Sequence, residues 1–90
     1  MAIETDTGFG ESLSIVERVI VSPAWGRFRS GRLSEGQVVE RGAVVGTVNG
    51  NGHEIPLVSH VRGIFVGWLA EEGERVMPGR RVARLRLAEH

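Results

Sequence analysis

Side chains able to do chemistry are few in this chain and widely scattered. His53, Glu54 and His60 supply two imidazoles and a carboxylate, the smallest set from which a catalytic zinc site is built. Their spacing matches neither HxH nor HExxH, so they read as a solvated hairpin histidine and a strand-edge histidine, with metal binding as the weaker alternative. Serines stand at 12, 14, 22, 30, 34 and 59 without a Gly-x-Ser-x-Gly elbow to expose one as a nucleophile. No cysteine is present, which removes thiol catalysis, disulfides and cysteine-ligated metal. Lysine is also absent, so no side-chain amine is available to form an amide with a carboxylic cofactor. Arginine carries all the basic chemistry: Arg27 and Arg29 flank Phe28, and Arg84 and Arg86 flank Leu85. Strand alternation puts each pair on one face, opposite the apolar residue. Such a pair can hold a carboxylate or phosphate bidentately, and it equally forms the wet side of a half-buried sheet. No catalytic constellation emerges, so the expectation is a non-enzyme without a cofactor.

The elements that position these residues come from an internal repeat. Residues 21–48 lie over residues 58–85 at a shift of 37 without a gap, and nine of the 28 pairs are identical. They include Ser22/Ser59, Gly26/Gly63, Phe28/Phe65, Gly36/Gly73, Val39/Val76, Gly42/Gly79 and Val45/Val82. Each copy is one supersecondary unit that cannot bury its apolar side alone, so the two should close on each other about a pseudo-two-fold. A first strand is expected over 15–21. Each copy then predicts a short strand at 26–28 or 63–65, a turn at 35–36 or 72–73, an isolated Val39 or Val76, a second turn at Gly42 or Gly79, and a strand at 44–48 or 82–87. No apolar period of 3.6 persists long enough for a helix. The matched glycines mark positions of positive φ or close backbone approach. Between the copies, Asn49-Gly50-Asn51-Gly52-His53 contains two Asn-Gly dipeptides, the strongest short-range hairpin signal.

Ninety residues make one domain with a limited core, expected over 15–88, preceded by a polar tail at 1–14. Glu4, Asp6 and Glu11 give that tail a charge of −3, and 11 Arg against 8 Glu leave the remainder at +3. This is too weakly basic to argue for nucleic acid. No apolar run approaches a membrane span, so a cytoplasmic protein that avoids membranes is expected. Trp68 is expected in or near the core. Trp25 precedes Gly26 at a turn, its counterpart in the repeat is Arg62, and it reads either as an exposed interface anchor or as a lid on the core.

The doubled pattern Val-Ser-Pro-x-x-Gly-x-Phe followed by Glu-Gly-x-x-Val-x-x-Gly-x-x-Val resembles the biotinyl/lipoyl carrier domain, over about residues 15–87. The resemblance implies an all-β flattened barrel of two four-stranded antiparallel sheets, with the chain ends at one end and the hairpin at the other. In that family the hairpin carries Glu-Ala-Met-Lys-Met, and its lysine is acylated by biotin or lipoate. Counting back from Gly63 puts these five positions on Asn49, Gly50, Asn51, Gly52 and His53, so the lysine position is held by Gly52. The resemblance therefore implies a non-modified interaction or scaffold module, monomeric or homodimeric, that docks a protein partner such as a subunit of an acyl-CoA carboxylase or a biosynthetic enzyme. Trp25, Arg27, Arg29, Arg84 and Arg86 are the candidate interface. The rival readings are a small-molecule or metal-binding protein using His53, Glu54 and His60, and a small enzyme or accessory whose arginine pairs hold an anionic substrate.

Overall fold

The computed structural model describes residues 16–87. The expected tail at 1–14 and the terminal His90 lie outside the described residues. The chain runs through eight strands: β1 (Glu17–Val21), β2 (Gly26–Ser30), β3 (Val38–Val39), β4 (Val44–Gly50), β5 (His53–Val58), β6 (Gly63–Trp68), β7 (Arg75–Val76) and β8 (Arg81–Leu87). They form two four-stranded sheets, in the orders β1-β8-β6-β3 and β5-β4-β2-β7, and every pairing is antiparallel. Adding 37 to each residue number converts β1, β2, β3 and β4 into β5, β6, β7 and β8 to within a residue or so. The same operation therefore turns one sheet order into the other, which is the two-fold relation expected from the repeat.

Backbone hydrogen bonds repeat as well. The Ser22 amide donates to the Arg80 carbonyl at 2.8 Å and the Ser59 amide to the Ala43 carbonyl at 3.0 Å. The Gly36 amide bonds the Phe65 carbonyl and the Gly73 amide the Phe28 carbonyl, each at 2.8 Å. Each copy thus closes its first turn on a strand of the other. Both also carry an irregularity at the start of the last strand, where Val45 and Val82 are the residues passed over in the register and both point inward. Gly36, Gly42, Gly73 and Gly79 hold φ between +82° and +91° at the turns, as their matched positions required.

One element departs from the gapless alignment. The pairing of β6 with β8 shifts between Phe65 and Gly67, whereas β2 pairs with β4 without a shift. Val66 is the extra residue, so Trp68 stands opposite Ala83 where Ser30 stands opposite Gly46 in the first copy. The bulge thereby delivers Trp68 to the core edge, with its ring centroid 5.4 Å from that of Phe28 and 4.9 Å from that of Phe65. In the gapless alignment Trp68 falls on Gly31, where an added β-carbon would lie 2.5 Å from the Val45 carbonyl oxygen. Phe28, Phe65, Val39, Val76, Val45 and Val82 do meet in one core, with Ile20, Val48, Leu57, Ala70, Ala83 and Leu85.

Candidate functional site

The chain reverses at Asn51 and Gly52, with φ of +53° and +77°, between the paired residues Gly50 and His53. Two successive positive φ values in a two-residue loop are the signature of a type I′ hairpin, in which the turn twist matches that of the strands. Only the second Asn-Gly is the turn. The first, Asn49-Gly50, continues β4, so the paired stem is longer than the dipeptide signal alone implied. A β-carbon at Gly52 would touch nothing within 4 Å, so this position projects into open space. From the tip, β5 carries the chain back over its six residues to the short link that opens β6 at Gly63, whose register partner is Leu87. The Leu87 amide in turn donates to the Val16 carbonyl at 3.0 Å. The tip therefore lies at the opposite end of the domain from both ends of the described chain.

The loop joining β1 to β2 is fastened to this hairpin by backbone contact. Gly50 sits directly against the Trp25 carbonyl oxygen, with no room for a β-carbon, and one on Gly26 would lie 2.5 Å from the Asn49 carbonyl oxygen. At the start of the loop the buried Ser22 hydroxyl donates to the Ala24 carbonyl at 2.7 Å and accepts from the Ala24 amide at 3.3 Å. The indole held in this way is 63% exposed. At that exposure the side chain is not a lid that buries itself on the core, and its backbone is held while its ring faces solvent. Beside it lies an open notch of about 170 Å³, lined by Trp25, Gly26, Arg27, Asn49, Gly50, Asn51 and Arg75.

The candidate arginines differ in their partners. Arg29 pairs with Glu72 at 3.3 Å, and that carboxylate also accepts from the amide and hydroxyl of Ser30. The Ser30 amide first, then its hydroxyl, hold the Glu72 carboxyl below its ordinary pKa, with Arg29 adding to the effect. Arg84 pairs with Glu17 at 2.7 Å, an interaction that lowers the Glu17 pKa and raises that of Arg84. Arg84 and Arg86 lie on β8, in the sheet opposite the one that holds Arg27 and Arg29, so the two arginine pairs do not form one surface. Arg27 differs from these: its guanidinium donates to the Gly73 carbonyl at 3.2 Å and makes no ion pair within 4.0 Å among the described residues. Its register partner on β7 is Arg75, and sequence reasoning passed over this residue. Arg75 was hidden because its repeat counterpart is Val38; the signal was the outward parity set by inward Val76.

The weaker metal reading fails on placement. His53 opens β5 at the tip and His60 lies past its far end, about 17 Å or more away at roughly 3.3 Å per strand residue. Glu54 follows His53 directly and so points to the other face of the sheet. Among the described residues no group of three or more His, Cys, Asp or Glu side chains is placed to hold a metal ion. His60 sits in the link after β5 and not on a strand edge, and both imidazoles are exposed. Ser22 and Ser59 are buried, and their hydroxyls donate to the Ala24 and Val61 carbonyls, a turn-closing role repeated in both copies.

No protein-family model matches the chain, and no curated protein matches it in sequence. Solved structures do match its fold. The urea carboxylase of Kluyveromyces lactis superposes with a TM-score of 0.71 and 21% identity, over 93% of this chain and 7% of that one. An aspartoacylase family protein from Mesorhizobium loti gives 0.66 and 24%, over 80% of this chain and 23% of that one. The lipoyl domain of the 2-oxoglutarate dehydrogenase complex from Azotobacter vinelandii gives 0.56 and 16%, over 73% of this chain and 94% of that one. The chain thus spans small fractions of the two larger proteins and nearly all of an isolated lipoyl domain. Its fold is that of a biotinyl/lipoyl domain.

Proposed function

We propose that this protein is a biotinyl/lipoyl-like domain that carries no covalent cofactor and acts by docking another protein through its hairpin end. The observation that supports this most is the tip itself. Gly52, which the resemblance aligns with the acylated lysine, projects into open space without a side chain, and no lysine exists elsewhere in the chain. What the hairpin end presents instead is an exposed indole with a fixed backbone, and tryptophan is among the residues that most often dominate interface energetics. Likeness to a urea carboxylase and to a lipoyl domain supports a carboxylase-type or related multienzyme assembly, including the acyl-CoA carboxylases, as the setting. Fold alone does not fix function. The reading therefore rests on the chemistry of the tip, and it makes the protein an accessory and not a catalyst.

The test is capture from the native host with the tagged full-length chain and its Trp25→Ala variant. The expected result is a stoichiometric partner retained by the wild type and lost with Trp25→Ala, while the melting temperature stays within about 2 °C because the indole is exposed. Equal recovery by both proteins would remove Trp25 as the anchor. Recovery of a biotin ligase or lipoate ligase product on the chain would remove the reading altogether.

A further inference from the structure

We propose that the notch between Trp25, Arg27 and Arg75 receives an acidic segment of the partner, with one carboxylate held between the two guanidiniums and a neighbouring apolar side chain laid on the indole. This deepens the docking reading above and rests on it.

The charges around the notch point to an anionic occupant. Arg27 and Arg75 face each other directly in the antiparallel register of β2 with β7. Both point outward, because Phe28 and Val76, their sequence neighbours, are buried. Directly opposed residues have β-carbons about 4.5–5.5 Å apart, and like-charged residues placed opposite each other destabilise the pair. The carboxylates nearest along the chain are engaged elsewhere: Glu72 with Arg29 and Ser30, and Glu74 with Arg80 at 3.0 Å. Neither Arg27 nor Arg75 has an ion pair within 4.0 Å among the described residues. Across the same face the row continues from Arg27 to Asn49 and then to Glu54. Glu54 is therefore two strands from Arg27, about 10 Å at the usual strand spacing, too far for a direct pair. The domain thus maintains an opposed pair of cations whose repulsion an external carboxylate would relieve.

The remaining walls define what accompanies that carboxylate. The indole of Trp25 offers apolar surface, and Asn49 and Asn51 add polar residues to the lining. A notch of about 170 Å³ is smaller than the roughly 300–1,000 Å³ of sites that enclose a whole small ligand. It fits one or two side chains of an extended segment. Because the Trp25 backbone is locked against Gly50, the loop backbone requires little ordering on binding.

The experiment is an amide and indole NMR titration of the full-length, isotope-labelled chain with acetyl-Asp-Glu-Phe-Glu-Asp-amide and its neutral counterpart acetyl-Asn-Gln-Phe-Gln-Asn-amide. The expected result is a set of shifts confined to Trp25, Arg27, Arg75, Asn49 and Asn51 with the acidic peptide alone, weakening as salt is raised. Affinity should fall about tenfold or more in Arg75→Gln and in Trp25→Ala, and be unchanged in Arg41→Gln, at an exposed turn remote from the notch. Dispersed spectra of the variants show that they fold. Equal binding of the neutral peptide, no binding of either, or full affinity in Arg75→Gln would overturn the proposal. So would inorganic phosphate producing the same shifts as strongly as the peptide, which would make the notch a small-anion site. Trp25-dependent capture from the host that persists beside a failed peptide titration would discard the acidic segment while leaving the docking reading in place.

Discussion

Gly50 lies against the carbonyl oxygen of Trp25 so closely that no β-carbon fits between them. Together with the approach of Gly26 to the Asn49 carbonyl, this contact couples the hairpin stem to the loop that presents the exposed indole. Gly50→Ala should destabilise the domain by about 1–3 kcal/mol through overpacking. At roughly 4–8 °C per kcal/mol for a domain of this size, the loss is readable in a thermal melt. An unchanged melting temperature would mean that the loop is not clamped.

The same contact governs any attempt to restore cofactor attachment. Asn49→Glu, Asn51→Met, Gly52→Lys and His53→Met together place the family's residues around the tip while keeping Gly50. Co-expression with a biotin ligase should modify this variant, because the new lysine projects into open space. Adding Gly50→Ala should lower both the stability and the yield of biotinylated protein. Greater modification on adding the alanine would contradict the coupling.

The two copies share one core, so either large aromatic should be equally indispensable. Phe28→Ala and Phe65→Ala each remove a buried ring packed against Trp68 and should cost about 3–5 kcal/mol in urea unfolding. A loss below about 1 kcal/mol at both would refute a shared core.

Acid should weaken the fold from a definite side. Glu17, Glu72 and Glu74 all have carboxyl pKa values held below 4.5: Glu17 by its hydrogen bond with Arg84, Glu72 by the Ser30 amide, and Glu74 by the Glu71 amide and then Arg80. A depressed folded pKa contributes stability that is present above the unfolded value and is lost as pH falls through the folded value. The urea midpoint should therefore be level from neutral pH down to about 5 and fall below about 4.5. Glu17→Gln should flatten part of that fall. The effect should shrink at high salt because these pairs are solvent-exposed. A midpoint that rises on acidification would reverse the assignment.

Much of this fold was legible because the repeat doubled every signal. Matched glycines gave the turns, matched valines and phenylalanines gave the core, and the two Asn-Gly dipeptides gave the hairpin, though not which of them is its tip. The bulge at Val66 was not legible, because a gapless alignment hides one residue gained in a strand and recovered in the following link. The site was only half visible. Trp25 stood out by type, but its exposure is a property of the folded loop, whose backbone rests against Gly50, a residue distant in sequence. Arg75 was invisible for a related reason: its opposition to Arg27 is a fact of register between strands that the sequence does not juxtapose. His53 and His60 looked close in sequence, yet a fully extended strand separates them.

Native mass spectrometry of the protein purified from its own host tests partner docking and the absence of a cofactor together. The expected mass is that of the bare polypeptide, bound to a second protein and released from it by Trp25→Ala. A polypeptide carrying biotin or lipoate, or one that shows no second protein under conditions that preserve complexes, would contradict the proposed function.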